Sequence, residues 1–119
     1  MGFNVVVVES DSRVTNSLSS QFHSVHLTRG GDELRERVAK NRPQAVIVDL
    51  EYSRLTDVHS LRLDFPSLPI VCTHRIPDEE LWVAALEAGA SDVRHADDIQ
   101  TVLTSVLRNT GGVKNAAVA

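Results

Sequence analysis

Gln44-Ala45-Val46-Ile47-Val48-Asp49-Leu50 is the stretch on which the reading of this chain turns. Ala45 to Val48 hold four apolar residues in a row, with no polar residue alternating among them. That pattern describes a strand buried on both faces rather than one with a wet side. The run closes on a carboxylate. In open parallel sheets, ligands bind outside the carboxyl ends of the strands, so an acid at that end is placed for chemistry. The opening of the chain repeats the arrangement, with Val5-Val6-Val7-Val8 running into Glu9, Ser10 and Asp11. If the two strands are neighbours, Glu9, Asp11 and Asp49 converge on one sheet edge.

Upstream of the central run, Phe3 to Val8 reads as the first strand. Val14, Leu18 and Phe22 then fall on one helical stripe, behind side chains able to cap it. Val25 to Thr28 reads as a second strand, with Val25 and Leu27 on one face. Gly30-Gly31 turns the chain, Asp32 is the expected cap of a helix carrying Leu34 and Val38, and Asn41-Arg42-Pro43 stops it. Downstream, Leu50 to Asp57 contains neither Gly nor Pro and reads as loop. Val58, Leu61 and Phe65 suggest a short helix, and Ile70 to Thr73 a fourth buried strand. Pro77 and Asp78 open the next helix: proline suits a first turn, and Asp78, Glu79 and Glu80 complement the helix dipole. Its stripe is Leu81, Ala84, Ala85 and Ala88, and Gly89 ends it. Ala90 to His95 reads as a fifth strand. Asp97 and Asp98 lead into an amphipathic helix built on Ile99, Val102, Leu103, Val106 and Leu107. Strand and helix thus alternate five times. That order predicts an α/β domain over residues 1–110: a doubly wound, five-stranded parallel sheet with helices on both faces. Residues 111–119 read as a disordered tail or linker.

Bulk properties remove several functions. At 119 residues the chain holds one domain with a real core. A formal net charge of −4 argues against a broad nucleic-acid footprint. Arg35, Arg37, Lys40 and Arg42 are interspersed with Asp32, Glu33 and Glu36, the pattern of a solvated helix face. With one cysteine no internal disulfide forms, and Cys72 lies in an apolar run as a small core residue. No apolar run approaches the ~20 residues of a membrane span. No basic stretch followed by an apolar one marks a signal peptide, so a cytoplasmic location is expected. A nucleotide or flavin site is disfavoured, because Glu9-Ser10-Asp11 stands where a glycine-rich phosphate loop would be needed.

Three segments, in this order and at this spacing, resemble the receiver domain of bacterial response regulators over residues 3–109. They are Val5-Val6-Val7-Val8-Glu9-Ser10-Asp11, Arg42-Pro43-Gln44-Ala45-Val46-Ile47-Val48-Asp49 and Ala88-Gly89-Ala90-Ser91-Asp92. The resemblance implies strand order 2-1-3-4-5 and makes Asp49 the equivalent of the family's phosphoryl acceptor. It also implies that two adjacent acids after the first strand hold Mg²⁺. Here those positions are Glu9 and Ser10. Asp11 stands one residue late, either to complete a metal set with Glu9 and Asp49 or to cap the first helix. Counting from Pro69 and from Gly89 places His74 at the family's hydroxyl switch position, with Thr73 one residue off. The switch lysine corresponds to Ala96, its following proline to Asp97, and the switch aromatic to Val93. His74 is either a substitute cationic partner or an ordinary hydrogen-bonded residue.

These departures carry a physical expectation. An aspartyl phosphate bears about two negative charges. Without an ammonium beside it, repulsion from acids ~4 Å away is on the order of several kcal/mol in a partly buried site. The expected protein is therefore a degenerate pseudo-receiver, not an enzyme and without a cofactor. It would act as a phosphorylation-independent protein–protein interaction module in bacterial signal transduction or transcription regulation. The alternative is a working phospho-receiver of a two-component phosphorelay, accepting phosphate on Asp49 with a weak Mg²⁺ held by Glu9 and Asp11. The resemblance also implies dimerisation or partner binding through the fourth helix, fifth strand and fifth helix of the family fold, with no direct nucleic-acid or membrane contact. Trp82, Val83 and Leu86 support that face, as they widen the apolar arc of the helix beyond its core stripe. Trp82 is either an interface anchor or a side chain folded back over the sheet edge.

Overall fold

The valine runs become the middle of a sheet because nothing in them needs water. In the computed structural model, which describes residues 4–8, 16, 20–22, 24–76, 78–96 and 98–110, Val5 to Val8 and Ala45 to Val48 are all buried. They lie in β1 (Asn4–Val8) and β3 (Ala45–Asp49). The other strands are β2 (Ser24–Thr28), β4 (Ile70–His74) and β5 (Asp92–His95). All pair in parallel, in the order β2-β1-β3-β4-β5. This is the expected five-stranded, doubly wound α/β architecture. Four described helices are numbered here α1 (Asp32–Asn41), α2 (Leu55–Asp64), α3 (Glu79–Ala88) and α4 (Ile99–Asn109).

Alternation along the strands splits the apolar residues into two cores. Val6, Val8, Val46, Val48, Ile70 and Cys72 face Leu34 and Val38 of α1, Val58 and Leu61 of α2, and Ala85 of α3. Val5, Val7, Ala45, Ile47 and Val71 face Phe22 and, on α4, Val102, Leu103 and Val106. Each fully buried Val, Leu or Ile side chain contributes about 1.5–3 kcal/mol, so the central strands are the main source of stability. No helix among the described residues is long and apolar enough to cross a membrane.

Several boundaries differ from the sequence reading, each for a local reason. The loop after Asp49 ends at Arg54, not Asp57, because Asp57 reaches back to cap α2. Its Oδ2 accepts the Arg54 N–H (3.1 Å) and its Oδ1 accepts the Gly31 N–H (3.0 Å). Gly31, at φ 70°, takes the capping position of α1 expected for Asp32, which instead pairs with Arg35 at 2.6 Å. β4 extends to His74, and β2 begins at Ser24. β5 begins at Asp92 rather than Ala90, since the Ala90 N–H closes onto the Ala85 carbonyl (3.0 Å) at the end of α3. Gly89 does end α3, at φ 119°, pressed against Arg62, whose Nε donates to the Gly89 carbonyl (2.8 Å). Asp78 caps α3 through the Leu81 N–H (2.8 Å), and Asp98 caps α4 through the Thr101 N–H (3.2 Å). Of the helix stripe expected on Val14, Leu18 and Phe22, the first two lie outside the described residues, as do Phe3, Pro77, Asp97 and residues 111–119, while Phe22 is buried in a bend rather than a helix.

Candidate functional site at the end of the third strand

Asp49 closes β3 and is only 3% exposed. Its side chain makes the turn that follows: Oδ1 accepts the Glu51 N–H (2.9 Å). Its carbonyl accepts the Ser53 hydroxyl (2.8 Å) and the Tyr52 N–H (3.1 Å). This is an Asx-type turn, which explains how the 50–54 loop folds without Gly or Pro. Burial pushes the Asp49 carboxyl above the usual carboxylate range. The Glu51 N–H bond draws it back, the Glu51 charge raises it again, and His74 and Arg75 lower it.

Pairing register sets Thr73 level with Asp49, one strand over. Partners in neighbouring parallel strands point to the same side of the sheet, so Thr73, set aside by counting, is Asp49's buried same-side neighbour. His74 belongs to the opposite face. Its Nδ1 accepts the Ile76 N–H (2.9 Å), which leaves the ring proton on Nε2, 3.9 Å from Glu51 Oε1. The ring is thus hydrogen-bonded at the end of its strand.

Glu51 and Arg75 were not singled out from the sequence, yet they join the two loops flanking Asp49. Glu51 Oε1 accepts the Arg75 N–H (3.1 Å), and Oε2 lies 3.6 Å from Arg75 Nε. They stand 24 residues apart, and no periodicity links them. Ala96, which the resemblance sets at the family's lysine position, is buried, and its N–H donates to the His74 carbonyl (2.9 Å). The chain has two lysines: Lys40 lies on α1, and Lys114 is outside the described residues. Val93 is packed into the core between the sheet and α3.

Glu9, Ser10 and Asp11 lie outside the described residues, so of the expected metal set only Asp49 is described. Mg²⁺ requires a near-octahedral oxygen shell. Among the described residues no group of three His, Cys, Asp or Glu could hold an ion, and Glu51 is turned toward Arg75. Those residues alone do not fit the metal.

On α3, Trp82, Val83 and Leu86 are 46%, 45% and 38% exposed. Trp82 also lines a groove shared with Val93 and Arg94 of β5.

A parallel sheet in the order 2-1-3-4-5, with an acid in the crevice at its carboxyl edge, defines the class: a doubly wound α/β domain of the flavodoxin-like strand order. No family model matches the chain. Over 99 residues it is 34% identical to Response regulator MprA of Mycobacterium sp. (strain KMS), an alignment covering 77% of this chain and 43% of that protein. The beryllofluoride-activated N-terminal receiver domain of Klebsiella pneumoniae RstA superposes with a TM-score of 0.72 at 26% identity, over 88% of this chain and 95% of that one. The N-terminal signal receiver domain of a two-component response regulator from Bacteroides fragilis gives a TM-score of 0.77 at 21% identity, over 92% and 97% of the two chains, a likeness of fold alone. The chain belongs to the response regulator receiver domains. It spans less than half the length of the curated relatives it matches.

Proposed function

We propose that this receiver domain is of the atypical, pseudo-receiver kind: a protein-interaction module of bacterial signal transduction or transcription regulation whose binding does not depend on phosphoryl transfer to Asp49. It performs no chemistry of its own and needs no Mg²⁺. The observation that carries the reading is Ala96. A buried methyl stands at the position matching the family's ammonium, and Lys40, the one lysine among the described residues, lies on α1. A phosphorylated Asp49 would add about two negative charges beside Glu51. Arg75, whose charge acts on Asp49, already faces Glu51.

The test is incubation of the full chain with Mg²⁺ and acetyl phosphate, or with beryllofluoride, followed by intact mass and by Trp82 fluorescence. No adduct and no spectral change are expected. An acid-stable adduct abolished by Asp49→Asn would overturn the proposal and establish the working phospho-receiver, with Glu9 and Asp11 as its metal ligands.

A further inference from the structure

Helix α3 carries charge of one sign only. Asp78 caps it, Glu79, Glu80 and Glu87 follow, and no Lys, Arg or His occurs from residue 78 to residue 90. The Asp78 carboxylate is engaged by the Leu81 N–H. The three glutamates are exposed, and none forms an ion pair with a described residue. At 100° per residue, Trp82, Leu86 and Val83 make one outward strip, with Glu79 inside it and Glu87 and Glu80 along one border. The groove between Trp82 and β5 encloses about 290 Å³ and is bordered by Asp78, Glu79 and Asp92 as well. Arg94 neutralises Asp92, to which its Nε is bonded at 2.8 Å, and leaves Asp78 and Glu79 as the uncompensated acids of the groove.

That combination selects its occupant by charge. The face of a tryptophan ring attracts cations, and acids around it strengthen the attraction. A two-fold interface sets the same patch against itself, so two copies meeting helix to helix would oppose glutamates to glutamates. We infer that the outer face of α3, with the groove beside β5, docks a basic amphipathic segment of another protein. Its apolar side chains cover Trp82, Val83 and Leu86, its Lys and Arg side chains meet Glu79, Glu80 and Glu87, and one cationic side chain enters the groove at Trp82. This rests on the interaction-module reading above and adds the charge class of the partner.

Trp82 is the chain's single tryptophan and reports on its own site. The probe is a designed helical peptide with leucines at helical spacing and Lys or Arg elsewhere; the control keeps the leucines and carries Glu instead. Saturable change in Trp82 fluorescence is expected with the basic peptide and not with the acidic one. Glu79→Gln/Glu80→Gln/Glu87→Gln should weaken binding about tenfold, from three exposed charge pairs. Val83→Ser/Leu86→Ser should weaken it comparably, while Glu33→Gln/Glu36→Gln on α1 should leave it unchanged. Equal binding of both peptides, or indifference to the α3 variants, overturns the inference. So does sedimentation showing a dimer that the Gln variant strengthens, which would make a second copy the occupant. Repeating the titration with Mg²⁺ and beryllofluoride separates the two proposals. Binding that appears only with beryllofluoride retains the docking site and ends phosphorylation independence. Absence of binding in both conditions removes the docking site and leaves the Asp49 test standing.

Discussion

The cleft at Asp49 and the outer face of α3 are both rich in acids, but they use them in opposite ways. At the cleft, Asp49 is buried and holds the Glu51 N–H, while Glu51 faces Arg75 and His74. On α3, three glutamates and three large apolar side chains stand in solvent, unpaired among the described residues. A polar group whose bonds are spent inside the fold positions other groups, and one whose bonds are open is available to a partner.

The sharpest way to break this contrast is to remove what holds the exposed helix in place. Gly89 sits at φ 119°, and a Cβ there would lie 2.7 Å from Cβ and Cγ of Arg62. Arg62 also ties Gly89 to the carbonyl of Pro66 (2.9 Å). Gly89→Val should cost about 3 kcal/mol, from the left-handed backbone and the overlap together. Urea denaturation should show a lowered midpoint with an unchanged slope. A cost below about 1 kcal/mol would mean that α3 is loosely held and its face not preformed.

The next effect belongs to Asp49. Its folded-state pKa is raised, chiefly by burial, so between its unfolded and folded values the folded protein binds more protons. Stability must then fall as pH rises through that window, and the gain is complete only below the unfolded value. Asp49→Asn keeps an oxygen for the Glu51 N–H and removes the buried charge. It should stabilise the domain by on the order of 1 kcal/mol at neutral pH and abolish this part of the acid-side slope. Denaturation curves over the acid range decide it. Destabilisation by Asn would mean that the carboxylate is held by compensating charge, as in a working acceptor site.

What the sequence revealed follows from how local each signal is. Val5 to Val8 and Ala45 to Val48 announce buried strands by composition alone, and the acids and glycine bounding α3 announce its ends, so the fold and the place of Asp49 were legible. The 50–54 segment was legible as loop but its turn was not, because the turn is made by the side chain of Asp49 rather than by Gly or Pro. The start of α2 was missed because Asp57 is shared with Gly31, 26 residues away. Thr73 was set aside because counting gives position along a strand and not register against its neighbour. The Glu51–Arg75 contact joins two loops that no pattern couples.

That contact supports the finest test. Glu51→Gln keeps an amide oxygen for the Arg75 N–H but removes the ion pair. Both side chains are partly exposed, so the loss should be no more than about 0.5 kcal/mol. Its informative consequence lies on Asp49. The Glu51 charge is one of the influences that raise the Asp49 pKa, and the substitution removes it. Asp49 should therefore titrate at lower pH in the variant, and the stability slope assigned to it should narrow. Carboxyl NMR titration of the two proteins measures the shift directly, and Trp82 fluorescence checks that α3 has not moved. An unshifted Asp49 with an unmoved α3 would show that the two loops are joined mechanically and not by charge. The cleft would then contribute a brace to the fold, and the acids that matter for recognition would be those on α3 alone.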